Sequence, residues 1–331
     1  MSWKLLLIFT VTFIVSSCGK NRPVIGFMLP NMNAQRYVIE KETFINKANE
    51  LGADVLFMQA NNDDQKQEEQ LDELLAKKID VLVLDPVNRF LAAGMIRKAH
   101  SKNIKVISYD RLVANCQIDA FVSFDPVMTG HQMAEAIVKI VPSGNYVILG
   151  GDLSDFNAIG INEGLQQYLD PYIKSGKIKI VYKTFIEKWD GEDAAFELSR
   201  YIGLSNLFPD AIIAGNDLMA QNVINTLEKY GLTSKIPVTG NGGELSACKN
   251  IMAGKQAMTI YKPGKKLAAL AVELSLKMLQ NENTSDILTS KKNNGFGDIP
   301  SRLLETIPID GAKIMSTVVA DGMFKESDLN K

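Results

Sequence analysis

Short apolar runs rich in β-branched residues alternate along the chain with longer segments whose apolar residues recur at helical spacing. In the first part of the chain these runs predict strands over 24–29, 55–58, 81–84, 104–109 and 121–124. The intervening segments predict helices over 34–51, 63–78 and, from a cap at Asn88, up to Ser101. Strands and helices in this alternation are typical of right-handed βαβ units around a parallel sheet.

The same alternation begins again at Pro126. The predicted strands of this part are 146–149, 178–182, 211–214, 237–239 and 258–261. The predicted helices are 126–140, 159–169, 191–201, 218–230, 244–252 and 264–280. The segment 281–300 has loop composition, and 303–309 predicts one further strand. The pattern therefore predicts an α/β protein with two Rossmann-like, doubly wound lobes that face each other across a cleft.

Four of the predicted strands end in polar residues. The strand 104–109 runs into Asp110 and Arg111, and the later strands run into Gly-Gly-Asp (150–152), Gly-Asn-Asp (215–217) and Gly-Asn-Gly-Gly (240–243). Open α/β sheets bind their ligands at the carboxyl ends of the strands. We therefore expect these tips to line one shared binding cleft.

Charge and histidine content exclude several classes of function. The net charge of -2 and the pI near 5.9 give no basis for binding nucleic acid or an anionic membrane surface. The two histidines, His100 and His131, both lie in predicted helices, so the sequence offers few residues for a histidine metal site or a catalytic triad. We expect no metal, no cofactor and no catalytic residue.

The amino terminus resembles a bacterial lipoprotein signal. An apolar run over 5–15 follows Lys4, and Ser-Ser-Cys-Gly at 16–19 resembles a lipobox, with residues 1–17 as the signal peptide and Cys18 as the lipidated residue. The alternative is an ordinary signal peptide with a chance cysteine. Either signal predicts an extracytoplasmic, periplasmic protein, and lipidation adds a membrane tether. Cys116 and Cys248 are interpreted as structural thiols, since their spacing supports no disulfide.

Several blocks of the chain resemble the periplasmic sugar-binding proteins of the ribose and xylose class. The blocks that carry the resemblance are 106–111, 118–126, 142–151, 174–180, 215–217, 258–263 and 298–304. The resemblance implies the type I periplasmic-binding-protein fold, whose chain crosses three times between its lobes. It implies an N-terminal lobe of residues 22–126 plus 263–292 and a C-terminal lobe of 127–262 plus 293–331.

The resemblance also implies a sugar site, because a pyranose needs polar groups around its edge and an aromatic side chain against its face. The implied ligand-binding residues are Arg36, Tyr37, Asp110, Arg111, Asp155, Asn157, Trp189, Asn216 and Lys262. Alternatives stay open at several of them: a cap or surface ion pair for Asp110 and Arg111, a loop role for Asp155, core packing for Tyr37 and Trp189. The neighbouring Asp217 is interpreted as the N-cap of the next helix.

One position departs from the pattern of the family. A sugar-binding aspartate of the family is replaced by Gly242 in Gly-Asn-Gly-Gly-Glu (240–244), which removes a charge-assisted contact of about 1.5–3 kcal/mol. Asn241 or Glu244 could supply a polar contact in its place, or the ligand could present a different group there. The departure puts the identity of the sugar in question more than sugar binding itself.

The resemblance implies a monomeric binding protein for a monosaccharide, xylose or a related pentose or aldose, that delivers it to an ABC permease. Signalling of the bound state to a membrane sensor kinase is the alternative. An enzyme that uses a nucleotide or a sugar phosphate is disfavoured, since no G-x-G-x-x-G follows the first strand and no P-loop is present. A sugar-responsive DNA-binding repressor is excluded by the signal sequence at the amino terminus.

Overall fold

The computed structural model describes residues 22–330, so the predicted signal peptide and Cys18 lie outside the described residues. Strands alternate with helices along most of the described chain. In chain order the strands are β1 (Val24–Leu29), β2 (Asp54–Gln59), β3 (Val81–Leu84), β4 (Lys105–Tyr109), β5 (Ala120–Phe124), β6 (Gly144–Gly150), β7 (Ile178–Phe185), β8 (Ala211–Ala214), β9 (Val238–Thr239), β10 (Thr259–Tyr261), β11 (Ser290–Asn293), β12 (Asp298–Leu304) and β13 (Ile307–Ile309).

The α-helices of the same residues are α1 (Gln35–Glu50), α2 (Asp64–Ala76), α3 (Ala92–His100), α4 (Pro126–Ile140), α5 (Phe156–Lys174), α6 (Gly191–Ser205), α7 (Asp217–Lys229), α8 (Leu245–Met252), α9 (Gly264–Leu279) and α10 (Glu326–Leu329). A short 3-10 turn covers Glu187–Trp189, and a π-helical turn covers Met315–Val319.

The N-terminal lobe is built on a seven-stranded sheet in the order β11-β12-β5-β4-β3-β1-β2. All neighbours in it are parallel except the antiparallel pair β11 and β12. Helices α1 and α9 cover one face, and α2 and α3 cover the other. Because both faces are covered, central strands such as β3 are continuously apolar and fully buried.

The C-terminal lobe is built on a four-stranded parallel sheet in the order β7-β6-β8-β9. Helices α6 and α7 pack on one face, and α4 and α5 pack on the other. The antiparallel pair β10 and β13 lies at its end and packs against α8 and α10. The predicted α/β class, with a doubly wound parallel sheet in each lobe, is confirmed.

Three segments cross between the lobes. They are Asp125 after β5, Lys262–Pro263 after β10 and Glu305–Thr306 after β12. The backbone N–H of Asp125 donates to the carbonyl of Leu304 at 3.0 Å, so the first and third crossings lie side by side. The predicted boundary between residues 292 and 293 is wrong, because β12 still pairs with β5 of the N-terminal lobe.

Two further expectations for the end of the chain are corrected. The segment 281–300, expected to be a loop, contains β11 and the start of β12, which form a hairpin. The strand β11 lies at the edge of the sheet and alternates between half-buried and exposed residues, so it lacks an apolar pattern. The expected single strand over 303–309 is two strands in different sheets, interrupted by the third crossing.

The two cysteines in the described part of the chain, Cys116 and Cys248, are both free and buried, in the N-terminal and the C-terminal lobe respectively. Within residues 22–330 there is no helix with both the length and the apolar character that a membrane crossing requires.

Candidate ligand-binding site

The carboxyl ends of the strands in both lobes meet at the interface between the lobes. Asp110 follows β4 directly and has a φ of 56°, a left-handed conformation that is uncommon for aspartate. Its backbone is held on both sides: the N–H donates to Val122 at 2.9 Å, and the carbonyl accepts from the hydroxyl of Ser123 at 2.6 Å. Strained backbone that its surroundings fix so firmly is common at functional sites.

Arg36, one helical turn before Glu40 on α1, joins two buried carboxylates. One guanidinium nitrogen donates to Glu40 at 2.8 Å, and the other forms an ion pair with Asp110. Glu40 also accepts from the hydroxyl of Tyr109 at 2.9 Å. Burial raises the pKa of Glu40, whereas at Asp110 the charges of Arg36, Lys262 and Arg111 outweigh burial and lower the pKa. Asp110 is therefore held as a carboxylate inside the protein.

Arg111 links the two lobes. Its Nε lies 3.1 Å from Oδ2 of Asp155 in the C-terminal lobe and 3.7 Å from Oδ1 of Asp85 in its own lobe. Its Nη1 donates to the carbonyls of Pro86 and Val87 at 3.3 and 3.4 Å. A guanidinium with this many fixed acceptors has little freedom, so its position in the cleft is well defined.

Asp155 and Asn157 form the opposite side of the cleft, at the start of α5. Oδ1 of Asp155 accepts from the backbone N–H of Asn157 at 2.8 Å and caps the helix, while Oδ2 faces Arg111. The side-chain amide of Asn157 donates to the carbonyl and to Oδ1 of Asp110 at 3.3 and 3.4 Å. Asp155 thus has two roles. One oxygen stabilises the loop at the start of α5, and the other faces Arg111 of the opposite lobe.

Trp189 packs across the tips of β6 and β8. A Cβ atom on Gly151 would lie 2.2 Å from its Cζ3, and a Cβ atom on Gly215 would lie 3.1 Å from the same atom. Its Nε1 donates to Asp155 at 3.2 Å. Both Lys188 and Trp189 have left-handed φ angles, 54° and 57°. The half-buried indole is therefore fixed beside Asp155 by two glycines that leave room for it.

Asn216 caps α7, and the prediction that Asp217 does so is wrong. Oδ1 of Asn216 accepts from the backbone N–H of Met219 at 2.8 Å. Asn216 has an extended backbone and Asp217 is already the first helical residue, so only Asn216 has the conformation of an N-cap. The buried carboxylate of Asp217 accepts instead from Thr259 at 2.8 Å and from Gln256 at 3.1 Å.

Tyr37 and Lys262 complete the set of predicted site residues. Tyr37 is 4% exposed within the apolar core of the N-terminal lobe, and its hydroxyl donates to Oδ2 of Asp85 at 3.1 Å. Lys262 lies on the second crossing, where burial lowers the pKa of its ammonium group. Among residues 22–330 that ammonium group has no hydrogen-bond partner, although Asp110 and Asp155 attract it electrostatically.

The turn that carries Gly242 leaves little room for a larger residue. Gly242 has a φ of +146°, and a Cβ atom there would lie 3.1 Å from Oδ2 of Asp217. The adjacent Asn241 is buried; its amide donates to Gly215 at 3.3 Å, and its Oδ1 accepts from no described residue. Glu244 reaches across to the N-terminal lobe, where Oε2 accepts from the backbone N–H of Gln35 at 3.4 Å.

Burial and the nearby charge of Asp217 raise the pKa of Glu244 to about 7. This carboxyl group therefore titrates close to neutral pH, in contact with the other lobe. Its proximity to Gln35 makes Glu244 a contact between the lobes, which the sequence pattern did not indicate.

Sequence reasoning overlooked three charged residues of this region: Glu40, Asp85 and Arg89. Glu40 follows Arg36 by four residues, a spacing that places both on one face of α1. Asp85 ends β3 as Asp110 ends β4, so the strand-tip argument applies to it equally. The guanidinium of Arg89 lies 5.7 Å from the ring of Phe156 in the other lobe, a contact that sequence spacing does not indicate.

Comparison with known proteins agrees with this architecture. A family model described as a periplasmic binding protein domain matches residues 25–283. The D-xylose-binding periplasmic protein of Haemophilus influenzae is 36% identical over 324 residues, which is 98% of this chain and 97% of that protein. The D-xylose-binding periplasmic protein of Escherichia coli is 35% identical over 305 residues, 92% of each chain.

A similar solved structure is the solute-binding protein of an ABC transporter from Clostridium phytofermentans, with bound β-D-glucose. It has a TM-score of 0.85 and 25% sequence identity, and the match covers 92% of this chain and 99% of that one. The predicted type I periplasmic-binding-protein fold is thereby confirmed. The chain belongs to the periplasmic binding protein family and resembles its D-xylose-binding members.

Proposed function

We propose that this protein binds a neutral monosaccharide between its two lobes and delivers it to an ABC sugar transporter. The observation that carries the proposal is the buried charged network of Arg36, Asp110 and Arg111, which faces Asp155 and Trp189 across the interface between the lobes. Two relatives of high coverage are named as D-xylose-binding proteins, and the similar solved structure holds β-D-glucose.

The chemistry of the network suits a polyol. Every sugar hydroxyl can donate one hydrogen bond and accept others, so a carboxylate next to a guanidinium serves both capacities. Asp110 and Asp155 supply the acceptors, and Arg111 and Lys262 supply the donors. The indole of Trp189 offers an apolar face for the C–H groups of a pyranose ring.

A neutral sugar fits better than a sugar acid or a sugar phosphate. Arg36 is already paired with Glu40 and Asp110, and Arg111 with Asp155, while the ammonium group of Lys262, which has no hydrogen-bond partner among the described residues, is balanced electrostatically by Asp110 and Asp155. An added anion would also lie close to several carboxylates in a poorly hydrated environment, where like charges repel strongly.

Contacts between the lobes support closure around a ligand. Asn157 donates to Asp110, Arg111 pairs with Asp155, and Glu244 accepts from the start of α1. Each contact joins one lobe to the other, and the lobes are linked by three short crossings that can act as a hinge. Binding and release need no bond to be made or broken in the sugar, so the proposal includes no catalytic residue.

Tethering by a lipid on Cys18 and action as a monomer are part of the same proposal. The lipobox-like Ser-Ser-Cys-Gly at 16–19 supports the tether. Globomycin, which blocks the lipoprotein signal peptidase, should cause accumulation of the uncleaved precursor, and a Cys18→Ser variant should be recovered in the soluble fraction. Equal membrane association of the wild type and of Cys18→Ser would contradict the anchor.

Binding can be measured with the protein's own fluorescence, because the two tryptophans are Trp3, in the predicted signal peptide, and Trp189. We expect D-xylose, D-ribose or D-glucose to change the emission of Trp189 and to raise Tm, whereas D-glucuronate and D-glucose 6-phosphate have no effect. A ligand at 100 times its Kd stabilises the folded protein by about 2.7 kcal/mol.

Two variants distinguish a residue of the cleft from a residue elsewhere in the same lobe. Asp110→Ala should abolish the response, since losing a charged contact costs about 10- to 150-fold in affinity. The matched control is Asp119→Ala, a carboxylate of the same lobe that binds His100 and the backbone of Val106 at the start of β4. The proposal fails if no neutral sugar binds, or if Asp110→Ala binds as tightly as Asp119→Ala.

A further inference from the structure

The carboxyl group of Asp85 lies beside Arg111 at the interface between the lobes, and one of its oxygens accepts no hydrogen bond from the described residues. The side chain is fully buried at the carboxyl end of β3. Its Oδ2 accepts from the hydroxyl of Tyr37 at 3.1 Å. Its Oδ1 accepts no hydrogen bond from any residue between 22 and 330. A buried carboxylate oxygen without a donor is destabilising, so its persistence needs an explanation.

The position of this oxygen is fixed. The backbone N–H of Asp85 donates to Met28 at 2.9 Å, and its carbonyl accepts from the side chain of Gln67 at 2.9 Å. Together with the bond from Tyr37, these contacts hold the backbone and one carboxylate oxygen. The remaining oxygen, Oδ1, is thereby a preorganised acceptor.

The surroundings of Oδ1 are those of the proposed sugar site. Nε of Arg111 lies 3.7 Å away, beyond hydrogen-bond distance, and its hydrogen bond goes to Asp155 at 3.1 Å. Asp110 and Arg36 are close enough to act on the carboxyl group electrostatically, and burial raises its pKa. The unpartnered oxygen is therefore next to three of the residues predicted to contact the ligand.

We propose that Asp85 is a ligand-binding residue whose Oδ1 accepts a hydrogen bond from one hydroxyl group of the bound sugar. The inference rests on the proposed function and adds a specificity determinant to it. Tyr37 is then a positioning residue: it holds Asp85 from within the core. A site with a buried acceptor rejects an analogue that lacks the matching hydroxyl, because the acceptor is left unpaired.

The test pairs changes in the protein with changes in the sugar. The affinities of D-glucose, D-xylose and the 2-, 3-, 4- and 6-deoxy derivatives of D-glucose are measured by titration calorimetry. The proteins are the wild type, Asp85→Ala, Asp85→Asn and Tyr37→Phe, with Asp119→Asn as the control from the same lobe. Circular dichroism and Tm establish that each variant is folded.

In the wild type we expect removal of one particular hydroxyl to weaken binding by about 5- to 150-fold, because the buried acceptor on Asp85 is left unpaired. In Asp85→Ala the same removal should change the affinity less than twofold, and the penalties at the other positions should stay as they are. Tyr37→Phe should reduce the penalty at that same hydroxyl only, and Asp119→Asn should reproduce the wild-type pattern.

If Asp85→Ala does not fold, Asp85→Asn provides the test, since the amide keeps the shape of the side chain and an acceptor for Tyr37. Its penalty at the one hydroxyl should fall by at least threefold. A wild type that binds sugar, with deoxy-sugar penalties that no Asp85 variant alters, overturns the inference and leaves the proposed function intact. A wild type that binds none of the sugars overturns both.

Discussion

Glu244 provides a quantitative prediction about pH. Its carboxyl group has a pKa of about 7 in the folded protein, against a usual value of 4.5, because it is buried beside Asp217. A folded-state pKa above the unfolded one means that the folded protein holds the proton more tightly. The resulting stability is fully present below pH 4.5 and is lost as the pH rises through 7. Replacing Glu244 with glutamine removes this dependence.

The magnitude follows from the shift. A difference of about 2.5 pKa units corresponds to about 3 kcal/mol, at 1.36 kcal/mol per unit. Partial exposure of the side chain to water lowers this free energy, so we expect a contribution to stability of about 1–3 kcal/mol. Because Glu244 contacts Gln35 of the other lobe, opening the cleft hydrates the carboxylate and relieves part of the cost. Raising the pH should therefore destabilise the closed state, and sugar affinity should fall with it.

The assay is urea unfolding and sugar titration at half-unit steps from pH 4.5 to 8.5, for the wild type and Glu244→Gln. The difference in the free energy of unfolding should be near zero at pH 4.5 and reach about 1–3 kcal/mol in favour of Glu244→Gln at pH 8.5. The matched control is Glu163→Gln, an exposed residue of α5 that accepts from Gln167. Its profile should follow the wild type.

Parallel pH profiles for the wild type and Glu244→Gln would refute the reasoning, since they would mean that Glu244 titrates at its ordinary pKa in the folded protein. A difference in stability without any difference in the pH dependence of sugar affinity would refute only the link to cleft closure.

Three further substitutions test other parts of the site. Gly242→Asp, which restores an acidic side chain, should cost about 1–3 kcal/mol in urea unfolding and should not raise sugar affinity, because φ is +146° and Asp217 is 3.1 Å from the new Cβ. Gly151→Ala should displace Trp189, shift its emission and cost about 1–3 kcal/mol, since the methyl group would lie 2.2 Å from the indole. Asn216→Ser keeps an N-cap on α7, so stability should change by less than about 0.5 kcal/mol, while affinity should fall if the amide contacts the sugar.

Each of these expectations has a clear opposite. Tighter sugar binding by a stable Gly242→Asp would show that the turn accepts a carboxylate. Unchanged emission in Gly151→Ala would mean that the indole is not held by this glycine. Unchanged affinity in Asn216→Ser would restrict Asn216 to its capping role.

The elements of the lobes could be predicted well where apolar runs are buried on both sides. The strands over 24–29, 81–84 and 211–214 have the bounds expected from the sequence. Helices cover both faces of these strands, so every residue in them is apolar or small. The strand β11 could not be predicted, since an edge strand of Ser, Lys and Asn looks like a loop. Its place in the sheet depends on pairing with β12, a tertiary contact.

Individual residues of the candidate site could be predicted from the sequence, but the contacts between them could not. Strand-tip polarity located Asp110 and Arg111, the resemblance to the family added Asp155, and the structure joins the three into one network. The choice between Asn216 and Asp217 as the cap depends on which of them has the extended backbone, and both residue types are good caps. The contact between Tyr37 and Asp85 spans 48 residues, so no local pattern could reveal it.

The late position of β12 in the chain determines when the N-terminal lobe can finish folding. The seven-stranded sheet includes Asp298–Leu304, which is synthesised only after the whole of the four-stranded sheet. Until then β5 is an open edge with unpaired backbone groups, and an edge of this kind readily pairs with other chains. A chain that emerges from its amino terminus therefore cannot complete its larger half before nearly all of it has been made. Truncation before residue 304 therefore leaves β5 as an open edge and is expected to favour aggregation.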